Sequence, residues 1–182
     1  MFKKILVALD DSDSSRRLFQ EATTLAKNTH AQLMLLHVLT PFDEGYPAPV
    51  YPNADGIYPS LHQQAMETYM RQLEEFETRN LEWLGRLSNQ AIAAGVVTEF
   101  TQHLGNPNDS ICSLARSWGA DLIMMGRRGR SGLGELLLGS VSSYVMHHAH
   151  CSVLIVQGGD TVEPETAAEE ATVADKETAA VG

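Results

Sequence analysis

Residues 121–142 read Asp-Leu-Ile-Met-Met-Gly-Arg-Arg-Gly-Arg-Ser-Gly-Leu-Gly-Glu-Leu-Leu-Leu-Gly-Ser-Val-Ser. Asp121 to Gly126 reads as a strand, with Leu122 to Met125 apolar without interruption, as expected of a parallel strand covered on both faces. A glycine-rich stretch covers 126–139, and Gly139-Ser140 opens a helical pattern over about 140–149. Strand, turn and helix in that order form the repeating unit of an α/β sheet.

The same alternation extends in both directions. Toward the N-terminus, 3–9 reads as a buried strand, and the acidic and serine run 10–15 supplies caps for a helix over about 13–29. Residues 32–39 read as a second buried strand. Five of the seven prolines and three tyrosines then fall in 41–60, an irregular loop of the length that serves as a lid or a binding loop. The pattern predicts a long helix over about 61–94, ended by Gly95, with Met66, Tyr69, Leu73, Phe76, Leu84, Leu87 and Ile92 as its apolar stripe. A strand at 96–103 follows. Gly105-Asn106-Pro107 turns the chain into a helix at 108–118 that buries Ile111, Leu114 and Ala115. Toward the C-terminus, 152–157 reads as a fifth strand. From about 159 the chain is an Ala/Glu/Thr-rich acidic tail without apolar periodicity, expected to be disordered. The expected organisation is one nucleotide-binding domain over 1–158 and a tail over 159–182.

Strands alternating with helices imply right-handed crossovers and parallel pairing. The fold class expected is α/β: an open doubly wound sheet of five parallel strands with helices on both faces. Ligands in such sheets bind beyond the carboxyl ends of the strands, where strand order reverses. Three segments converge there: Asp10 after the first strand, Val38 to Thr40 after the second, and Gly126 onward after the fourth.

The third segment carries the chemistry. Gly126 and Gly129 permit close backbone approach to a ligand. Gly139-Ser140 stands at a helix N-terminus, whose free N–H groups and dipole favour an anion. Ser140 and Ser142 bring hydroxyls, and Arg127, Arg128 and Arg130 bring positive charge. These are the parts of a phosphate cradle. Glycine-rich turns also follow strands without binding phosphate, and the arginines suit a solvated surface as well. The segment is not a P-loop, since no Gly-Lys-Ser/Thr ends it, and no glycine fingerprint follows the first strand.

Composition excludes several classes. The chain has 182 residues, 43% of them hydrophobic, and a net charge of −10, of which −6 falls in 160–182. Such a balance argues against nucleic acid and anionic membrane surfaces as partners. Met1-Phe2-Lys3-Lys4 opens like a signal peptide, but the apolar run stops at Asp10-Asp11, too early for one. No stretch approaches the ~20 residues of a membrane span. Cys112 and Cys151 form neither a disulfide framework nor a metal pattern. A cytoplasmic location is the expectation.

The spacing Gly126-x2-Gly129-x9-Gly139-Ser140 resembles the nucleotide motif of the universal stress protein family. Val7-Ala8-Leu9-Asp10 with Ser12, His37-Val38, Gly105-Asn106-Pro107, Ala120 to Gly126 and Cys151 to Val156 are similar to further blocks of that family, although Ser152 stands where it commonly has proline. The resemblance covers about 2–157 and implies an adenine nucleotide α-hydrolase-like sheet. By position it implies Asp10 near the ribose and the Val38 backbone at the adenine edge, with Ala8 and Leu9 among the nucleotide-binding residues. Gly126, Gly129, Gly139 and Ser140 would surround the phosphates, Val141 and Ser142 would add contacts, and Met125 and Arg128 would complete the binding set, Met125 as site wall. It implies ATP, with Mg²⁺ travelling on the triphosphate, and a homodimer paired through 152–157.

The function that follows is an ATP-binding, nucleotide-dependent regulatory protein of the stress response, hydrolysing ATP slowly at most. No catalytic residue is assigned. The alternatives are an adenylate-forming enzyme on the same fold and an interaction module independent of nucleotide. Asp10 also suits a helix cap. His147, His148 and His150 suit a helix C-terminus better than a metal site. Cys112, Trp83 and Trp118 read as packing residues.

Overall fold

A computed structural model describes residues 1–48, 59–127 and 138–157 of the chain. Among the described residues nine elements follow one another: β1 (Lys4–Leu9), α1 (Asp13–Thr29), β2 (Gln32–Leu39), α2 (Pro59–Ala93), β3 (Thr98–Leu104), α3 (Pro107–Trp118), β4 (Leu122–Gly126), α4 (Ser140–His148) and β5 (Ser152–Val156). The strands form one parallel sheet in the order β3-β2-β1-β4-β5. The order reverses between β1 and β4, as the doubly wound reading requires.

The alternation of side chains along each strand divides the core into two layers. Ile5, Val7 and Leu9 face α1 and α2, packing with Leu18, Ala22, Leu84 and Ala91. Leu6 faces α3 and α4 instead, with Leu36, Ile111, Ala115, Ile123, Met125 and Val145. The central strands are buried on both faces, which explains their unbroken apolar runs. Each fully buried Leu or Ile contributes about 1.5–3 kcal/mol relative to exposure.

Local signals set the boundaries. Asn106 caps α3 by accepting from the Asn108 N–H at 2.9 Å, and Pro107 occupies the first helical position. Gly119 ends α3 in the left-handed region at φ 75°. Helix α1 ends instead on His30, a non-glycine residue at φ 56°. The Asp121 carboxylate accepts the backbone N–H groups of Lys3 at 2.8 Å and Lys4 at 3.2 Å, pinning the start of β1 beside β4. The Lys4 ammonium donates to the Trp118 carbonyl at 2.9 Å and lies 4.9 Å from the centre of that indole.

Three expectations are corrected. The Pro-rich segment does not run to residue 60, because Pro59 already begins α2, a place where its fixed φ is favourable. The third strand runs over Thr98–Leu104 and not 96–103. It starts late because the Val96 N–H is spent on the Ala91 carbonyl at 3.0 Å, closing the end of α2. The apolar stripe of α2 is only partly a core face. Phe76 and Leu84 are buried and Leu87 packs beside them, but Met66 and Ile92 are 49% and 52% exposed. A helix of 35 residues is about 52 Å long, whereas a strand of seven or eight spans about 25 Å. The first turns of α2 therefore stand beyond the sheet. Residues 159–182, read as a tail, and 49–58 of the Pro-rich segment lie outside the described residues.

Candidate functional site

The carboxyl ends of β1, β2 and β4 open into a cavity of about 560 Å³. Its floor is Ala8 and Leu9 from β1, Leu36 and Val38 from β2, and Met125 and Gly126 from β4. Pro107 and Ile111 of α3 wall one side, and Val141 and Ser142 in the first turn of α4 wall another. Asp10, Ser14 and Ser15 of the turn into α1 and Thr40, Phe42 and Asp43 of the turn after β2 complete the rim. Sheet order explains the assembly: β2 and β4 flank β1 about 5 Å away on either side, so their C-termini meet at the point of reversal.

Most of the residues singled out in the sequence come together here. Ala8, Leu9, Asp10, Val38, Met125, Gly126, Val141 and Ser142 line the cavity. Gly139 and Ser140 form the adjoining start of α4 and do not themselves line it. Arg128 and Gly129 lie outside the described residues, as does Arg130. Thr40 was included as the end of a segment, but Ser14, Ser15, Phe42, Asp43 and the α3 wall were not singled out for the site. A Thr-x-x-Asp spacing directly after a strand is the signal available for Thr40 and Asp43, because such a pair closes a turn through side-chain hydrogen bonds.

Hydrogen bonds build the rim. Asp10 accepts through Oδ1 from the Ser12 hydroxyl, from the Ser12 N–H at 3.2 Å and from the Ser15 hydroxyl at 2.6 Å. In return its own N–H donates to the Ser15 hydroxyl oxygen at 3.0 Å. The position that caps α1 is Ser12, so Asp10 shapes the turn before the helix and faces the cavity from there. Beyond β2, Asp43 accepts from the Thr40 N–H and the Thr40 hydroxyl, each at 2.9 Å. His37, buried in β2, brings Nε2 within 4.0 Å of the same carboxylate and meets Trp83 edge-on at 5.4 Å.

The β4 side is tied by its backbone. The Arg127 N–H donates to Val156 and the Gly139 N–H to the Arg127 carbonyl, both at 2.9 Å. The buried Ser142 hydroxyl donates to the Gly126 carbonyl at 2.8 Å. That hydroxyl proton is committed to holding α4 against β4. What α4 offers a ligand is its first-turn backbone N–H groups, which have no acceptor within a helix, and the positive end of its dipole.

Among the described residues no group of three or more His, Cys, Asp or Glu is placed to hold a metal ion. His147 and His148 are exposed on the last turn of α4, where His148 stacks on Tyr144 at 4.0 Å and reaches its carbonyl at 2.8 Å. No helix among the described residues is long and apolar enough to cross a membrane.

Comparison with known proteins agrees with this architecture. The chain is 40% identical over 160 residues to Universal stress protein Sll1388 of Synechocystis sp., covering 86% of this chain and 98% of that one. The solved structure of MJ0577 superposes with a TM-score of 0.66 at 22% identity, over 88% of this chain and 99% of that one. A universal stress protein solved in complex with cAMP superposes with a TM-score of 0.54 at 25% identity, over 86% of this chain and 97% of that one. The model of the Universal stress protein family matches residues 1–157, and the chain belongs to that family.

Proposed function

We propose that the cavity binds an adenine nucleotide, ATP with Mg²⁺ being the form its two ends suit, and that the chain is a nucleotide-dependent regulatory protein of the stress response. One observation carries the reading: a single cavity joins an apolar wall to a helix N-terminus across the switch point. A purine would lie against Val38 and the α3 wall. The phosphates would reach the first turn of α4, where unpaired N–H groups meet anionic oxygen. Asp10 would face the ribose between them. The cavity size is in the range of small-ligand sites, and the relative solved with cAMP supports an adenine nucleotide as occupant.

Magnesium would arrive on the triphosphate, held mainly by phosphate oxygens and water. Asp10 is the carboxylate the β1 end of the cavity offers it. Regulation requires that nucleotide bind one state of the chain better than another. The end of β4 and the first turn of α4, which line the cavity, are where binding would exert that bias. We also assign a homodimer to the β5 edge. That strand pairs only with β4 among the described strands and carries Leu154 at 42% exposure. A second copy would extend the sheet there.

The test is calorimetric titration of the purified chain with ATP and Mg²⁺, after extraction of any co-purified nucleotide. The wild-type chain should bind with a dissociation constant of about a micromolar or below. Val38→Glu, which puts a carboxylate against the purine wall, and Gly129→Val should each weaken binding at least about tenfold, or about 1.4 kcal/mol. Absence of binding by a wild-type chain that carries no nucleotide refutes the reading.

A further inference from the structure

We infer that Ser15, buried in the first turn of α1, is a positioning residue: it locks the Asp10 carboxylate so that Oδ2 is the oxygen left to accept a ribose hydroxyl. This rests on the nucleotide reading above and adds the residue that lets the cavity tell a ribonucleotide from its deoxy analogue.

The protons of the turn can be followed one by one, since a serine hydroxyl has a single proton to donate. Ser15 gives its proton to Asp10 Oδ1 at 2.6 Å, and its oxygen takes the Asp10 N–H at 3.0 Å. Ser12 gives its proton to the same Oδ1, and the Ser12 N–H adds a bond at 3.2 Å. The hydroxyl oxygens of Ser12 and Ser14 lie 2.7 Å apart. With the Ser12 proton already spent, Ser14 is the donor between them. Ser14 and Ser15 line the cavity, but their protons point away from any ligand in it. Oδ1 of Asp10 holds three donors, and among the described residues none reaches Oδ2. An ionised carboxylate only accepts, so whatever Asp10 meets in the cavity through Oδ2 must donate.

Position says which part of a nucleotide that is. Asp10 follows β1, the middle one of the three strands that open into the cavity. It stands about 5 Å, one strand spacing, from the Val38 side and as far from the α4 side. The ribose, which joins base to phosphates, falls there and carries hydroxyl donors. Ser15 is what keeps the acceptor still. It is 5% exposed, on the face of α1 that buries Leu18, Phe19 and Ala22 in the core. Its two bonds grip the backbone and the side chain of one residue, so the carboxylate cannot turn without breaking one of them. An acceptor fixed in advance lowers the ordering cost of binding. It also leaves an analogue without the hydroxyl facing an unpaired carboxylate oxygen.

The experiment uses the full chain with Mg²⁺, and ATP, 2′-deoxy-ATP and 3′-deoxy-ATP as probes. Calorimetry compares wild type, Ser15→Ala and Asp10→Ala, and urea melts verify that each variant is folded. In wild type one deoxy analogue should bind about 10- to 100-fold more weakly than ATP, the range for one hydrogen bond to a charged acceptor. In Asp10→Ala that ratio should fall to about threefold or less, because the acceptor is gone. In Ser15→Ala it should fall as far, because the acceptor turns freely. A folded Ser15→Ala chain that loses affinity for all three nucleotides equally, and so keeps the wild-type ratio, overturns the inference. So does a wild-type chain that binds ATP and both analogues alike, the result expected if Oδ2 took the metal. That second outcome needs no variant. A wild-type chain free of co-purified nucleotide that binds no ATP overturns the nucleotide reading itself, before any ratio is compared.

Discussion

Replacing Asp43 by alanine should loosen the turn after β2 and lower global stability by a calculable amount. The carboxylate accepts two hydrogen bonds from Thr40, each at 2.9 Å, and its side chain is 11% exposed. A hydrogen bond to a charged group contributes about 1.5–3 kcal/mol net. The Thr40 hydroxyl can turn to water once its partner is gone, whereas the N–H is held in place, so the sum falls to about 2–4 kcal/mol. Asparagine should cost far less. Its Oδ1 can still accept from the Thr40 N–H, and its Nδ2 can donate to the Thr40 hydroxyl oxygen, which has a second lone pair free of the Phe42 N–H. The expected loss for Asp43→Asn is about 1 kcal/mol. Urea denaturation followed by far-UV circular dichroism measures both. With a slope of about 2 kcal/mol per molar urea, Asp43→Ala should move the midpoint by about 1–2 M and Asp43→Asn by about 0.5 M. An alanine variant within about 0.5 kcal/mol of wild type would refute the reasoning, because that is the range of an ordinary surface change. An asparagine variant as damaged as alanine would refute the exchange of donor and acceptor.

Two further outcomes follow from burial. Leu84→Ala, at a fully buried site on α2, should destabilise by about 2–5 kcal/mol, while Met70→Ala on the same helix, 55% exposed, should stay within about 0.5 kcal/mol; equal losses in urea melts would contradict the division of that helix. Burial raises the thiol of Cys112, with the Asp109 charge adding to it, and burial with the Asp121 charge raises that of Cys151. Since the thiolate is the nucleophile, iodoacetamide should label the folded chain more slowly at neutral pH than the urea-unfolded chain, and the folded rate should keep climbing above the pH where an ordinary thiol levels off. Labelling at the unfolded rate would show that the thiols are not held in apolar surroundings.

The fold was legible where the signals are local. Central strands buried on both faces need apolar runs, so Leu33 to Leu36 and Leu122 to Met125 announce β2 and β4, and Asn106-Pro107 marks the start of α3 to within a residue. The strand β3 was harder, because at a sheet edge only one flank is paired and Glu99, Phe100 and Leu104 are exposed. Periodicity also misjudged α2. A 3.6-residue apolar repeat records which face of a helix is apolar, not whether anything lies opposite, and Met66 shows the difference. At the cavity, Ala8, Val38, Met125 and Gly126 came from position at strand ends together with family resemblance. Phe42 and Asp43 escaped because their placement depends on a turn closed by side chains. Ser142 was read as a donor toward a ligand. Its hydroxyl bonds the Gly126 carbonyl, a pairing across sixteen residues that spacing does not reveal.

The length of α2 has a consequence for motion. From Phe76 onward the helix packs buried Leu84 and Ala91 in the core with β2 and is tied to β3 through the Ser88 and Gln102 side chains, so opening its turns there means opening the core. Before Phe76 the turns carry exposed Met66 and Met70 and little that is buried. Those turns can unwind and rewind alone, at a free energy well below that of global unfolding. Phe76, gripped by the Tyr46 ring, is where such unwinding stops. The same contact reaches the turn after β2, which the Thr40 and Asp43 hydrogen bonds also hold, so one aromatic pair links the frayed end of α2 to the cavity rim.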